Sequence, residues 1–400
     1  METKTCVKRS LARAAVGLCL MACQWVNAAP WTVAMVGLMD DARYQARQLE
    51  HAYPDHPTGR PIDAARVALD ESEPELEAAG QRVQIKTFMA SNVADLPRVM
   101  AQLKAAKIQH VLLDLPDAEL QQIASTAAVE PDAPILFNIG SASDALRGAS
   151  CALAMLHTYP SRQMLSDALV QYLAARSWTQ ALVLYGQQPQ DTLQLDAFAR
   201  SAKRYGLRIN KTAQFKVSGD PRERDLSNTR LLTNDKGFDV VVVLDSDGEF
   251  ARALPYTTQW PRPVVGSNGL TAMAWHPQWE RNGGPQLSRR FARFAHRPMA
   301  AQDWAAWIAV KSIVAVLTEQ PKATVAEQLR LLRGGQVFVD GYKGPRLSFR
   351  PWDGQLRQPV FLGHADGVAG MAPFDGVLHP TEVLDTLGMD QKESTCKKQL

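Results

Sequence analysis

Carboxylates follow two of the most apolar segments of this 400-residue sequence. Asp41 follows the first such segment, and Asp245 and Asp247 follow the run of valines at 240–243. Carboxylates at the carboxyl ends of parallel strands lie where α/β sheets bind ligands. Aspartate also caps helices and forms Asx turns. We favour capping for Asp41 and Asp247, whereas for Asp245 ligand contact and capping remain equal alternatives.

Metal and catalytic motifs are missing from the sequence. The Asp-x-Asp-Gly stretch at 245–248 lacks the further oxygen ligands and the final Glu of a calcium loop. Glycine-rich nucleotide loops, His-Glu-x-x-His, Cys-x-x-Cys and Gly-x-Ser-x-Gly are also absent, and the eight His are scattered. We therefore predict no metal site, no cofactor and no catalytic residues, and an enzyme is the weakest of the functions considered.

Apolar runs alternate with helical stretches along the chain and would position these residues. Strands are predicted at 31–38, 83–88, 110–115, 134–140, 180–186, 207–217, 239–245 and 263–268, with two final strands at 337–349 and 358–362. Helices are predicted at 60–79, 93–107, 118–129, 161–175, 191–205, 222–234, 303–317 and 324–333. Because most of these strands are apolar throughout and alternate with helices, we expect an α/β fold with parallel sheets covered on both faces.

The first 28 residues are typical of an export signal. Basic residues precede a short apolar stretch at 14–22, and Val26-Asn27-Ala28 is a small-x-small cleavage pattern. A less favoured alternative is lipidation at Cys23, because residues 20–23 resemble a lipobox. Either way the sequence predicts a periplasmic protein.

Charge and composition exclude two classes of partner. Hydrophobic residues make up 46% of the chain and charged residues 21%, which is typical of a soluble globular protein of this length with two domains. Without residues 1–28 the chain has 40 basic and 40 acidic residues, so nucleic acid is not an expected partner. No later segment reaches about 18 uncharged apolar residues, so no membrane insertion of the mature chain is expected.

Two of the five cysteines, Cys151 and Cys396, lie outside the predicted signal. In an exported protein such a pair favours one disulfide. It would join the C-terminal segment to a loop near the middle of the chain. Two free or buried thiols remain the alternative.

Five segments, taken in order, resemble a known family. They are the export signal followed at once by a strand, the loop at 137–143, the segment 157–161, the strand 181–186, and the glycine-containing stretch at 341–355. Over residues 31–362 the chain resembles type I periplasmic solute-binding proteins of the branched-chain amino acid class. A narrower resemblance, at 40–44, 146–151 and 384–388, is to the binding-protein-like component associated with pyrroloquinoline-quinone-dependent alcohol oxidation systems.

The resemblance implies two Rossmann-like lobes hinged by three crossovers, near Tyr159, Gly269 and Gly335. It assigns 30–157 plus 272–337 to lobe I, 158–271 plus 338–362 to lobe II, and 363–400 to a C-terminal tail. A ligand would lie between the lobes. The ligand-binding residues that we predict are Ser141, Ala142 and Ser143 from lobe I and Tyr185, Asp245 and Asn268 from lobe II. Ser141 and Ser143 could instead cap the following helix.

Two positions depart from the amino acid binders. Asn268 is neutral where the family usually has an acid for the ligand's ammonium, and Asp114-Leu115-Pro116 replaces the family's Gly-Pro-Ser loop. A neutral or hydroxylated ligand therefore fits at least as well as an amino acid. The function predicted is the solute-binding component of an ABC-type transporter, with a permease as partner. The alternative is a sensor or accessory module of a periplasmic oxidation pathway.

Overall fold

The computed structural model describes residues 30–45, 56–126 and 133–396. The predicted signal at 1–28 and its alternative lipidation site at Cys23 lie outside the described residues. The strands are β1 (Trp31–Leu38), β2 (Val83–Ala90), β3 (His110–Asp114), β4 (Ile135–Asn138), β5 (Met155–His157), β6 (Gln180–Tyr185), β7 (Arg208–Gln214), β8 (Val240–Leu244), β9 (Val264–Gly266), β10 (Thr271–Met273), β11 (Val339–Asp340), β12 (Arg346–Leu347), β13 (Val360–His364) and β14 (Gly367–Ala372). The helices are α1 (Ile62–Ala78), α2 (Leu96–Ala105), α3 (Asp117–Thr126), α4 (Arg162–Ala175), α5 (Pro189–Tyr205), α6 (Thr229–Leu232), α7 (Glu249–Thr257), α8 (Gly284–Ala295), α9 (Ala301–Glu319) and α10 (Val325–Arg333).

The first lobe contains a parallel five-stranded sheet in the order β2-β1-β3-β4-β5. Side chains alternate between its two faces. Val33 and Met35 of β1 pack in one apolar cluster, and Ala34 and Val36 pack in another on the opposite face. The strand is apolar throughout because both faces are covered, as the sequence predicts for a parallel sheet.

Helix α9 completes the first lobe late in the chain. It packs along α1, and its Trp304 and Trp307 are buried in the cluster that contains Met35, here called the first-lobe core. The next helix, α10, begins at a capping box in which Thr324 accepts a hydrogen bond from the Glu327 backbone. Residues 284–333 therefore return to the lobe in which the chain began.

The second lobe contains a parallel sheet in the order β7-β6-β8-β9. Its central strand β8 is buried along its whole length. Val240 and Val242 pack with Leu169 and Leu173 of α4 in an apolar cluster, here called the second-lobe core. Val241 and Val243 pack with Phe250 of α7 on the other face of the sheet. The same alternation as in the first lobe explains this run of valines.

An antiparallel sheet, in the order β10-β13-β14, lies between the lobes. Ala272 and Leu362 pack in the second-lobe core, whereas Met273 and Phe361 pack in the first-lobe core. The chain crosses between lobes after β5, and again at this sheet. The strands that connect the lobes thus contribute side chains to both cores.

The segment 338–362 differs from its predicted place in lobe II. Val339, Leu347 and Phe349 pack in the first-lobe core, and the predicted strand at 337–349 is reduced to the two-residue strands β11 and β12. The physical reason is the close approach of Gly341 to Trp304, whose indole Nε1 donates to the Gly341 carbonyl at 3.0 Å. Only the β13 part of this segment reaches the second-lobe core.

The helix predicted at 222–234 is wrong as one continuous element. A 3₁₀ helix at Pro221–Ser227 and the short α6 replace it. Asn228 interrupts the two with an extended ψ of 100°, and its side chain accepts a hydrogen bond from the Leu231 amide at 3.2 Å. Asparagine side chains compete with the helix in this way and favour capping positions.

The segment after 362 is more than a tail. β14 pairs with β13, and Asp385 accepts hydrogen bonds from the buried Arg350 and from Arg357. Cys151 and Cys396 form the disulfide that the cysteine count favours. Among the residues described, no helix combines the length and apolar character needed to cross a membrane.

Candidate functional site

A cleft of about 450 Å³ lies between the two lobes, at the carboxyl ends of β3, β4, β8 and β9. Its walls come from both lobes and from α4 and α5. Lining residues include Arg43, Leu115, Pro116, Asp117, Gly140, Ala142, Tyr159, Arg162, Leu165, Ser166, Leu169, Gln190, Phe198, Leu244, Asp245, Ser246, Gly266, Ser267, Thr271 and Ala272. Ligand pockets commonly enclose roughly 300–1,000 Å³, so the cleft is of ligand size.

Asn138, at the end of β4, organises the loop of the first-lobe wall. Its Oδ1 accepts from the amides of Gly140 and Ser141, at 3.2 and 2.9 Å, and its Nδ2 donates to the Ser141 carbonyl at 2.8 Å. Within this loop Ala142 lines the cleft. The Ser141 hydroxyl donates to Asp117, which itself lines the cleft, and the Ser143 hydroxyl accepts from Gln121 at 3.3 Å.

An ion-pair network lies beside this wall, between the ends of β1 and β3. Arg43 donates to Asp41 at 2.6 Å and to Asp114 at 3.0 Å, and Tyr44 donates to Asp114 at 2.8 Å. Burial raises the pKa of Asp114, although Arg43 acts in the opposite direction. Burial would lower the pKa of Arg43, but Asp114 and Asp41 outweigh it and raise that pKa. Arg43 is thus a cation already matched by two carboxylates.

Asp245 lies on the second-lobe wall and lines the cleft. Its Oδ2 accepts a hydrogen bond from the Ala251 amide at 2.8 Å, within the first turn of α7. Burial raises the pKa of this carboxyl, while backbone donors from Ala251 and Gly248 lower it. Capping and cleft exposure, which the sequence offers as alternatives, coexist at this residue. Its own amide donates to Ser267 Oγ at 2.8 Å, which also fixes the neighbouring loop.

The other two predicted second-lobe residues have different surroundings. Asn268 Nδ2 donates to the Ala251 carbonyl at 3.0 Å, and its Oδ1 accepts from the Gly269 amide at 2.7 Å. Tyr185 ends β6 and packs, partly buried, against the second-lobe core. Of the six predicted residues, the structure brings Ala142 and Asp245 to the cleft lining, whereas Ser141, Ser143, Tyr185 and Asn268 are not among the lining residues.

Residues that sequence reasoning missed connect the two lobes. Arg162 Nη2 donates to Asp117 Oδ2 at 3.3 Å and to Gln190 Oε1 at 2.8 Å, and Gln190 Nε2 lies 3.4 Å from Asp117 Oδ2. Arg200 of α5 pairs with Asp144 of the first lobe at 3.0 Å. Asp117 and Arg162 are the first residues of α3 and α4. Each follows a segment that the sequence analysis singled out, 114–116 or 157–161, and this position is the signal that would have pointed to them.

Two hydroxyls of the cleft lack a protein partner. Thr271 is 6% exposed, and its Oγ1 is buried with no hydrogen-bond partner among the described residues. The Oγ of Ser166, on α4, is in the same situation. In the described ranges no group of three or more His, Cys, Asp or Glu side chains could hold a metal ion. Besides its charged side chains, the lining thus offers hydroxyl, amide and apolar groups.

No protein-family model and no curated protein sequence matches the chain. Solved structures do match. A branched-chain amino acid ABC transporter periplasmic ligand-binding protein from Burkholderia xenovorans LB400 has a TM-score of 0.70 at 12% identity, over 92% of this chain and 99% of that one. The chain has the type I periplasmic-binding-protein fold. This confirms the predicted α/β architecture with two parallel sheets.

Two further structures with the same fold are described by different binding specificities. A leucine-, isoleucine-, valine-, threonine- and alanine-binding protein from Brucella ovis, in its closed conformation, has a TM-score of 0.70 at 14% identity, covering 93% of this chain and 100% of its own. An ABC transporter solute-binding protein from Rhodopseudomonas palustris BisB5, in complex with 3,4-dihydroxybenzoic acid, has a TM-score of 0.64 at 10% identity, covering 86% and 94%. At these identities the similarity concerns the fold.

Proposed function

We propose that this protein is located in the periplasm, binds a small molecule in the cleft between its lobes and delivers that molecule to an ABC-type permease. The observation that carries the proposal is the cleft itself, of about 450 Å³ and lined by both lobes. Closure of two lobes around a ligand buries the ligand and changes the surface that a partner contacts. The solved structures with this fold include ABC transporter substrate-binding proteins, which supports the same role here.

The location and pathway extend this proposal. The export pattern at 1–28 supports a periplasmic location, and the missing catalytic motifs favour a binding role over an enzyme. The resemblance at residues 40–44, 146–151 and 384–388 supports a link to pyrroloquinoline-quinone-dependent alcohol oxidation. In that setting the solute would be an alcohol, an aldehyde or a related product of the same pathway.

A thermal-shift screen of the mature protein, with its disulfide intact, tests the proposal. The panel contains branched-chain amino acids, short alcohols, aldehydes, carboxylates and pyrroloquinoline quinone. A ligand present at 100 times its Kd raises the free energy of unfolding by about 2.7 kcal/mol, several degrees in Tm. Asp245→Ala should remove the shift if the ligand occupies the cleft. Loss of transport of the same solute in a deletion strain would establish the permease link.

A second candidate function is an accessory binding module without a transport role. One observation favours it: Cys396 is covalently joined to the first lobe at Cys151, while Arg204 of the second lobe binds Gly388 and Glu393 of the same C-terminal segment. Such a connection restrains lobe opening. Retained solute uptake in the deletion strain, together with impaired alcohol oxidation, would favour this candidate over the transporter.

A further inference from the structure

We propose that the cleft selects a neutral, largely apolar molecule that carries hydroxyl or carbonyl oxygens, rather than an amino acid or a carboxylate. This inference rests on the proposed solute-binding function and specifies its ligand class. It comes from the partners of the charged residues in the cleft, from two hydroxyls without partners, and from the apolar walls.

The guanidinium groups that line the cleft are ion-paired within the protein. Arg43 is paired with Asp41 and Asp114, and Arg162 is paired with Asp117. A ligand carboxylate would have to compete with these carboxylates for either guanidinium. Since an ion loses its hydration on entering the cleft, a charged ligand without a free counter-ion is strongly disfavoured.

Two other titratable residues line the cleft. Asp245 accepts a hydrogen bond from the Ala251 amide at the start of α7, so one of its oxygens is already engaged by the protein, and burial raises the pKa of its carboxyl. Burial lowers the pKa of His56 to about 4, so this side chain is neutral at pH 7. A zwitterion needs an anion and a cation together, and the described lining residues do not offer that combination unpaired.

The buried hydroxyls define what the ligand must supply. Thr271 Oγ1 and Ser166 Oγ have no hydrogen-bond partner among the described residues, and both residues line the cleft. Buried hydroxyls are normally paired, and an unpaired one destabilises the fold. A ligand oxygen within hydrogen-bond distance of either hydroxyl would supply the missing partner. Because a hydroxyl both donates and accepts, it can pair with an alcohol or with a carbonyl.

The rest of the lining is apolar. Leu115 and Pro116 come from the first lobe, and Leu169, Phe198 and Leu244 come from the second. Each square ångström of ligand hydrocarbon that these side chains remove from water favours binding. A few polar groups set in apolar walls are the usual arrangement in small-molecule sites. The ligand is therefore expected to be mostly hydrocarbon, with a small number of uncharged oxygens.

The test compares ligands that share a hydrocarbon frame and differ in charge. The aliphatic set is 4-methylpentan-1-ol, 4-methylpentan-1-amine, 4-methylpentanoate and leucine. The aromatic set is 4-hydroxybenzyl alcohol, 4-hydroxybenzylamine, 4-hydroxybenzoate and tyrosine. Isothermal titration of the mature, disulfide-bonded protein at pH 7 should give the alcohol of at least one frame a Kd about tenfold or more below those of its charged analogues.

Thr271→Val is the matching variant, because it removes the hydroxyl and nearly conserves the volume. We expect a roughly tenfold weaker affinity for the alcohol together with an unchanged or higher Tm. Thr233→Val is the control, since Thr233 Oγ1 donates to the Thr229 carbonyl at 2.7 Å and accepts from the Gln259 amide at 2.8 Å, outside the cleft. The control should lower the Tm and leave the alcohol affinity unchanged.

Three results would overturn parts of the inference: the ligand class, the hydroxyl contact or binding altogether. Tighter binding of a carboxylate, an amine or an amino acid than of its alcohol would reject the neutral ligand class but retain solute binding in the cleft. Unchanged alcohol affinity in Thr271→Val would reject the hydroxyl contact. Absence of binding by every member of both sets would reject the inference, whereas the proposed function fails only if the wider thermal-shift panel also yields no ligand.

Discussion

Arg162 of the second lobe donates a hydrogen bond to Asp117 of the first lobe, with 3.3 Å between Nη2 and Oδ2. Both residues begin helices, and both line the cleft. The pair thus joins the two walls that a ligand would contact. Their side chains are 13% and 20% exposed, so solvent screens the pair only in part.

Loss of this pair should favour an open form of the protein. Arg162→Met removes the interlobe charge, and an interaction of about 1 kcal/mol corresponds to a roughly fivefold change in the ratio of open to closed molecules. Spin labels on Lys86→Cys and Lys211→Cys, at exposed positions of β2 and β7, would report the distance between lobes. Arg222→Met is the control, because its ion pair with Asp220 lies within the second lobe. Identical distance distributions in both variants would contradict the prediction.

The disulfide should contribute several kcal/mol to stability. It closes a loop with a sequence separation of 245 residues, and a cross-link over so long a segment greatly restricts the unfolded chain. We expect Cys151→Ala/Cys396→Ala to lower the free energy of unfolding by about 3–5 kcal/mol in urea titrations. Reductant should destabilise the native protein by a similar amount and leave the double variant unaffected. Equal stability of both proteins without reductant would show that the tail is held by its other contacts.

Acid should destabilise the protein through His110. This residue is fully buried between Gln328, 2.8 Å from its Nε2, and the ring of Trp31, and burial lowers its pKa to about 4. The unfolded chain, with an ordinary histidine pKa near 6.5, therefore binds the proton first as the pH falls. Stability present above pH 6.5 is lost between that value and pH 4, by about 2 kcal/mol for His110 between pH 7 and 5.

His110→Gln isolates this contribution, because glutamine can still donate to Gln328 and does not titrate. The urea midpoints at pH 7 and pH 5 should differ less in the variant than in the native protein. A native protein that loses no more stability than His110→Gln over this interval would contradict the assignment. Other buried histidines, including His157, add to the acid sensitivity of both proteins equally.

Asp385 should be essential to the packing of the C-terminal segment. Its Oδ1 accepts from Arg350 Nε at 2.7 Å and from Arg357 Nε at 2.9 Å, and Arg350 is 1% exposed. Asp385→Asn leaves the buried Arg350 guanidinium and the partly buried Arg357 guanidinium without this anion, at a cost of about 3 kcal/mol. Urea unfolding measures the loss. Asp366→Asn, at the exposed turn between β13 and β14, should have little effect, and equal losses in both variants would refute the argument.

Local patterns in the sequence predict the elements well where burial decides them. The strand predicted at 239–245 is observed at Val240–Leu244, and the helix predicted at 324–333 begins after the cap Thr324. Apolar runs and capping residues act within a few positions, so one sequence suffices to find them. The helix predicted at 222–234 is not continuous, because the Asn228 side chain accepts a hydrogen bond from the Leu231 amide. A helical pattern in the sequence does not exclude this local alternative.

The cleft lining was predicted less completely, for a different physical reason. Sequence places Ser141 and Asn268 in loops at the correct ends of strands, but it does not determine where each side chain turns. The Ser141 hydroxyl donates to Asp117, 24 positions earlier, and the Asn268 side-chain amide donates to the Ala251 carbonyl in the first turn of α7. Arg162 and Thr271 reach the cleft only because α4 and β10 pack beside it. Such long-range placement is absent from local patterns.

The late position of α9 has a consequence for folding during synthesis. Trp304 and Trp307 fill the core on one face of the first sheet, whose strands all lie before residue 158. The second lobe likewise needs Val360 and Leu362, far beyond its own parallel strands. A ribosome must therefore produce most of the chain before either lobe can complete its core. Until then the apolar face of the first sheet that α9 covers has no partner helix.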